Sequence, residues 1–127
     1  ALAKTSTPVV VCPTTSLNER RTPPVRALLD HGVPVGLGTD HNPGQSGTMS
    51  LPLAISMAIA MFNMSVLEAL RAATVGGAFA LGASDRGMLA PGQYADIVQW
   101  DADHEGAFAW SYGLKTLRVW RGGETIR

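Results

Sequence analysis

Two short apolar runs separated by a helix-sized segment restrict this chain more than any other feature. Pro8-Val9-Val10-Val11-Cys12 is β-branched and closed by Pro13. A continuous apolar run offers no polar face to water, so it reads as a fully buried strand. Val33-Pro34-Val35-Gly36-Leu37-Gly38-Thr39 reads as a second buried strand, its small residues permitting close backbone approach. Between them, Thr14 to Arg21 is polar and reads as a loop. Thr22 is placed to cap a helix opened by Pro23 and Pro24, since proline is tolerated in the first turn. Val25, Leu28 and Leu29 give that helix an apolar face, and Gly32 ends it. Strand, helix, strand at this spacing predicts a right-handed βαβ unit with parallel strands. Asp40 then falls just past the carboxyl end of the second strand, the edge where barrels and open parallel sheets place ligand chemistry.

Downstream, a helix is expected from about Ser50 to Asn63. A further one starts at Ser65-Val66-Leu67-Glu68, which has capping-box spacing. Leu67, Leu70, Ala73, Ala78 and Leu81 roughly follow helical periodicity, and Gly82 is a natural stop. Gly76-Gly77 sits awkwardly inside it, each glycine costing about 1 kcal/mol relative to alanine. A tight packing contact and a break are both open there. From Gly87 the texture turns to β: Met88 to Gln93 reads as a strand end and turn, and Ala95 to Trp100 as a strand. Leu117 to Trp120 and Glu124 to Ile126 flank Gly122-Gly123 as a tight hairpin. The expected organisation is an α/β half over 1–84 followed by a small β half over 85–127.

Bulk properties narrow the function classes. The 127 residues suffice for one ordinary domain, and 46% hydrophobic content supports a packed core. Ten basic and ten acidic residues leave no net charge and no basic patch, which argues against nucleic acid as a partner. The longest apolar stretch, Leu51 to Phe62, is shorter than the roughly 20 residues of a spanning helix, so no membrane segment is expected. Cys12 is the only cysteine, so an internal disulfide and a cysteine metal cluster are excluded, in keeping with a reducing, cytoplasmic setting. The chain starts at Ala1 rather than methionine, and Ala1-Leu2-Ala3-Lys4 shows no secretory leader. A processed chain or a fragment is the expectation.

Gly36-Leu37-Gly38-Thr39-Asp40-His41-Asn42-Pro43-Gly44 is the segment in which chemistry is sought. A carboxylate at a parallel strand's end can ligate a divalent metal or take a proton from metal-bound water. An aspartate before Asn-Pro-Gly is equally an ordinary turn former, and spacing alone does not choose. His41 reads as a solvent-facing or pocket-wall residue, because consecutive residues at a strand end point apart. His31 reads as a helix-end cap and His104, among Asp101, Asp103 and Glu105, as part of a solvated loop. Cys12 reads as a structural thiol, Asp96 as turn chemistry, and Met57, Met61 and Met64 as core packing. Thr14, Thr15 and Ser16 follow a strand and could line a pocket mouth.

Leu37-Gly38-Thr39-Asp40-x-Asn42-Pro43-Gly44 resembles the last barrel strand of the imidazolonepropionase family, within the amidohydrolase superfamily. The resemblance continues through Leu28 to Val35, Glu68 to Thr74, Ala78 to Gly82, Gly87 to Val98, Tyr112-Gly113-Leu114 and Val119-x-x-Gly122. It implies the last two strands and helices of a (β/α)8 barrel followed by part of a small β-sandwich domain. The implied reaction, part of histidine degradation, is hydrolysis of the ring amide of 4-imidazolone-5-propanoate to N-formimidoyl-L-glutamate. On the same resemblance, a bound zinc or iron ion would activate the attacking water. Asp40 would be the metal ligand and catalytic proton carrier, and Asn42 and Gly44 would contact the substrate. Gln45 is a further substrate-binding candidate, standing where the family has serine or threonine, with Ser46 next. Gly76 stands where the family often has asparagine.

The resemblance also implies metal ligands that this chain lacks: a His-x-His pair on the first barrel strand and a histidine on a later one. The isolated chain is therefore expected to be inactive. A homodimer is the expectation for the full-length enzyme. Rival readings are another cyclic-amide hydrolase or deaminase of the superfamily, and a non-catalytic remnant.

Overall fold

The computed structural model describes residues 2–127, the side chain of Ala3 excepted, so the reading at Ala1 lies outside it. A 3-10 turn at Leu2–Lys4 leads to β1 (Val9–Val11), which pairs in parallel with β2 (Val35–Leu37). Val9, Val10 and Val11 stand opposite Val35, Gly36 and Leu37. β2 is buried throughout, as its small and apolar residues require. β1 is not: Val10 is 51% exposed, because only the inward face of this edge strand is covered.

The crossover holds two helices rather than one. The polar segment expected as a loop begins with α1 (Pro13–Asn18), whose first turn carries Pro13 and which buries Pro13 and Thr14. α2 (Val25–Asp30) follows without a side-chain cap, so Thr22 does not play that part. Pro23 and Pro24 have no amide to satisfy, and the first free amide, Val25 N, donates to Pro23 O at 2.8 Å. Gly32, at φ +69°, ends the helix, with its own amide on Leu29 O and that of Val33 on Leu28 O.

α3 (Leu51–Phe62) runs between Ser50, whose hydroxyl accepts from Leu53 N, and the left-handed Asn63. Residues 54 to 58 are all buried, so this helix is surrounded rather than laid on a surface. α4 (Val66–Arg71) begins with both halves of the capping box between Ser65 and Glu68. It passes through one π-helical turn (Ala72–Gly76) into α5 (Gly77–Ala80), and Gly82, at φ +70°, stops the run. Of the two possibilities at Gly76-Gly77, the contact is the one found. A Cβ on Gly76 would lie 2.1 Å from Val35 O, and one on Gly36 would lie 3.1 Å from Gly76 O. Absent side chains at both positions let the π-turn lie directly on β2.

Met88 to Ala90 forms no strand. Gly87 holds φ +98° against Ala78 and the backbone of Thr74 and Val75, a turn that extended backbone cannot make. β3 (Ile97–Trp100), β4 (Thr116–Arg121) and β5 (Glu124–Thr125) form an antiparallel sheet in that order. Gly122 and Gly123 both take positive φ, as a two-residue hairpin requires. A four-residue α6 (Ala107–Trp110) interrupts the sheet and packs on α3. Its Phe108 is 4% exposed and meets Trp100 edge-to-face at 5.6 Å between ring centres. Burying such a ring contributes about 2–3 kcal/mol. Phe108 shares one apolar cluster with Val11, Leu37, Ile55 and Phe62, and Met57 and Met64 are buried as expected of packing residues.

Candidate functional site

The loop after β2 is held from three directions. Asp40 takes φ +50°, a left-handed conformation that aspartate tolerates better than most residues. From the carboxyl side, Asn42 Nδ2 donates to Asp40 O at 2.6 Å, while its Oδ1 accepts the amides of Gly44 and Gln45 at 2.9 and 2.8 Å. From beneath, the hydroxyls of Thr14 and Ser46 meet at 2.7 Å and approach Thr39 O at 3.0 and 2.5 Å. Those three contacts share two protons in a buried pocket of hydroxyls, Ser46 being 1% exposed.

α1 supplies the third direction. Thr15 Oγ1 donates to Asp40 Oδ2 at 2.8 Å, and Asn18 Nδ2 donates to Gln45 O. Gln45 Nε2 donates to Glu19 Oε1, just past α1, at 2.7 Å. Residues that sequence reasoning assigned to a loop thus form a clasp on the Asp40 loop. Pro13 directly after an apolar strand was the one signal of a helix start there.

Asp40 stands exposed at the carboxyl end of β2. Asn42 and the amides of Gly44 and Gln45 come together with it but bond to one another, so a ligand reaches those amides only by displacing Asn42 Oδ1. The Gln45 side chain is turned toward Glu19, and the hydroxyl of Ser46 is buried beneath the loop. His41 lies alongside, its Nδ1 3.1 Å from Ser46 O. His31 Nδ1 sits 2.7 Å from Ala27 O at the end of α2, and exposed His104 accepts the Gly106 amide. Asp96 accepts the Gly122 amide at 2.8 Å and pairs with Arg86 at 3.2 Å, which anchors the hairpin.

Burial, and after it the negative charge of Asp40, push the Cys12 thiol up from its ordinary value. A thiol kept protonated is a poor nucleophile and a poor metal ligand, in line with a structural part.

Among the described residues no group of three or more His, Cys, Asp or Glu could hold a metal ion. Asp40 offers a hard anionic oxygen donor on a pinned backbone, which suits a single ligand of a divalent metal. A catalytic site takes about three protein ligands, so this chain fits as a contributor to such a site.

The sequence pattern of the amidohydrolase family matches residues 2–126, and the chain belongs to that family. Within it, the chain is similar to curated imidazolonepropionases. That of Rhodococcus jostii is 45% identical over 126 residues, 98% of this chain and 31% of the relative. That of Ruegeria pomeroyi is 42% identical over 119 residues, 92% of this chain and 30% of the relative. The chain thus spans about a third of the length of the curated relatives it matches. An adenosine deaminase from Xanthomonas campestris, solved with bound zinc, superposes with a TM-score of 0.88 at 25% identity, covering 98% of this chain and 33% of that one. Guanine deaminase of E. coli, at 21% identity and a TM-score of 0.80 over 99% of this chain and 35% of that one, shares the fold.

Proposed function

We propose that this chain is the carboxyl-terminal part of an imidazolonepropionase, with Asp40 as one ligand of its catalytic divalent metal. The observation that carries this reading is a carboxylate fixed at the carboxyl end of a parallel strand, in a chain 45% identical over 126 residues to a curated imidazolonepropionase. In the proposal, residues 1–84 belong to a (β/α)8 barrel and 85–127 to a small β-sandwich domain. The metal, zinc or iron, would supply Lewis-acid activation of water toward the ring carbonyl of 4-imidazolone-5-propanoate. Asp40 would hold the metal and take up a proton of the attacking water. Asn42 shapes the loop, and its second Nδ2 proton, with the Gly44 and Gln45 amides after exchange, would face the substrate's propionate side. The whole enzyme would act as a cytoplasmic homodimer in histidine degradation.

The test is turnover by the full-length protein, followed as loss of 4-imidazolone-5-propanoate and formation of N-formimidoyl-L-glutamate. Wild type should be active, Asp40→Ala should lose at least about a hundredfold in kcat/KM, and the 127-residue chain alone should be inactive. Retained activity in Asp40→Ala removes Asp40 from the mechanism. A deaminase reading draws on the superposition with adenosine deaminase. Release of ammonia from adenosine, with no action on the imidazolone, would replace the first reading with that one.

A further inference from the structure

Thr15 stands 25 residues before Asp40 in the chain, yet its hydroxyl donates to Asp40 Oδ2 at 2.8 Å. The residue it reaches is unusual. Asp40 keeps a left-handed backbone at φ +50°, which an L-residue adopts at a cost of about 1–2 kcal/mol. Its flanks are pinned: the preceding carbonyl, Thr39 O, by Ser46 and Thr14, and its own carbonyl by Asn42 Nδ2. With the backbone settled on both sides, rotation of the side chain is the freedom that remains. The Thr15 hydrogen bond removes it and leaves Oδ1, which takes no hydrogen bond among the described residues.

We propose that Thr15 is a positioning residue that orients the Asp40 carboxylate toward its metal. The proposal rests on the reading of Asp40 as a ligand. Partners that hydrogen-bond to a ligating carboxylate fix its orientation, and their loss weakens metal binding about 10- to 100-fold.

The test uses the full-length protein with zinc as the probe, its dissociation constant measured by competition with a chromophoric chelator. Thr15→Val keeps the shape of the side chain and removes the donor; Thr15→Ser keeps the donor. Thr15→Val should weaken zinc binding about tenfold or more, and Thr15→Ser should bind within about twofold of wild type. Melting temperatures of the metal-free forms should coincide. Zinc affinity unchanged in Thr15→Val, while Asp40→Ala loses zinc, overturns the part given to Thr15 and leaves Asp40 standing. Zinc retained by Asp40→Ala overturns the ligand reading and the inference with it. Should valine disturb α1, serine decides: a loss that serine does not restore is structural and counts against the proposal.

Discussion

Gly76 and Gly77 stand side by side, both at φ −64°, so alanine offers each the same helix-propensity gain of about 1 kcal/mol. Their surroundings differ. A Cβ on Gly76 would lie 2.1 Å from the Val35 carbonyl oxygen and 3.0 Å from its carbon. Carbon–oxygen approaches run from about 3.3 Å, so β2 and the π-turn would have to part by about 1 Å. The obstructing atoms are backbone of a strand paired with β1, not the far end of a flexible side chain. Overpacking costs about 1–3 kcal/mol, and an immovable neighbour puts this case at the upper end. Against the propensity gain, Gly76→Ala should destabilise the fold by about 2 kcal/mol. At Gly77 the nearest atom to an added Cβ is Ala72 O at 3.7 Å, an ordinary contact. Gly77→Ala should therefore stabilise by up to about 1 kcal/mol. The two variants should differ by about 3 kcal/mol, roughly two decades in the folding constant. Urea titration followed by circular dichroism, with unchanged slopes, reads both values. Equal midpoints for the two variants would refute the close approach of the π-turn to β2.

Two further outcomes follow from the hydrogen bonds. Ser46→Ala should cost about 1 kcal/mol, near the low end for a buried hydroxyl, because Thr14 Oγ1 keeps Thr39 O as a partner; a loss above about 3 kcal/mol in urea titration would mean that the hydroxyl network also holds the loop together. Hydrogen bonds from Arg26, then from the Ser65 amide, hold the Glu68 carboxyl down to about 2 from its ordinary 4.5. A depressed carboxyl stabilises the fold above its unfolded value and loses that contribution as pH falls through its folded value. Wild type should therefore lose more stability than Glu68→Gln as pH falls from about 4.5 to about 2, and parallel stability curves for the two would dismiss the linkage.

How much of the fold could be read in advance depended on where each element draws its stability. The βαβ unit, α3 and the capping box are written locally: β-branched runs, Ser50 before Pro52, and Ser65 three residues before Glu68. Thr22 failed as a cap because Pro24 itself occupies the cap position and Val25 finds Pro23 O. α1 was missed because Thr14 to Asn18 has no apolar period. Its side chains bond instead to a loop more than 20 residues away, which no local pattern encodes. α6 was missed for a related reason: four residues are too few for a period, and Phe108 is held by Trp100 and the core rather than by its neighbours.

The candidate site divides along the same line. Asp40 could be placed from the strand pattern, because the end of β2 follows from Val35 to Leu37 alone. What orients it could not, since Thr15 reaches it through the tertiary packing of α1. Gln45 and Ser46 are likewise placed by contacts that no local pattern encodes. A hydroxyl expected at Gln45 stands one residue later at Ser46, where it faces inward and binds Thr14 and Thr39 O, while the Gln45 amide is occupied by Glu19. Both side chains are engaged within the chain, so on the proposed reading recognition at this end of the loop would fall to Asn42 and to the backbone amides released from its Oδ1. Backbone donors are insensitive to the side chain that carries them, and on that reading a glutamine could stand at position 45 without loss of the contact.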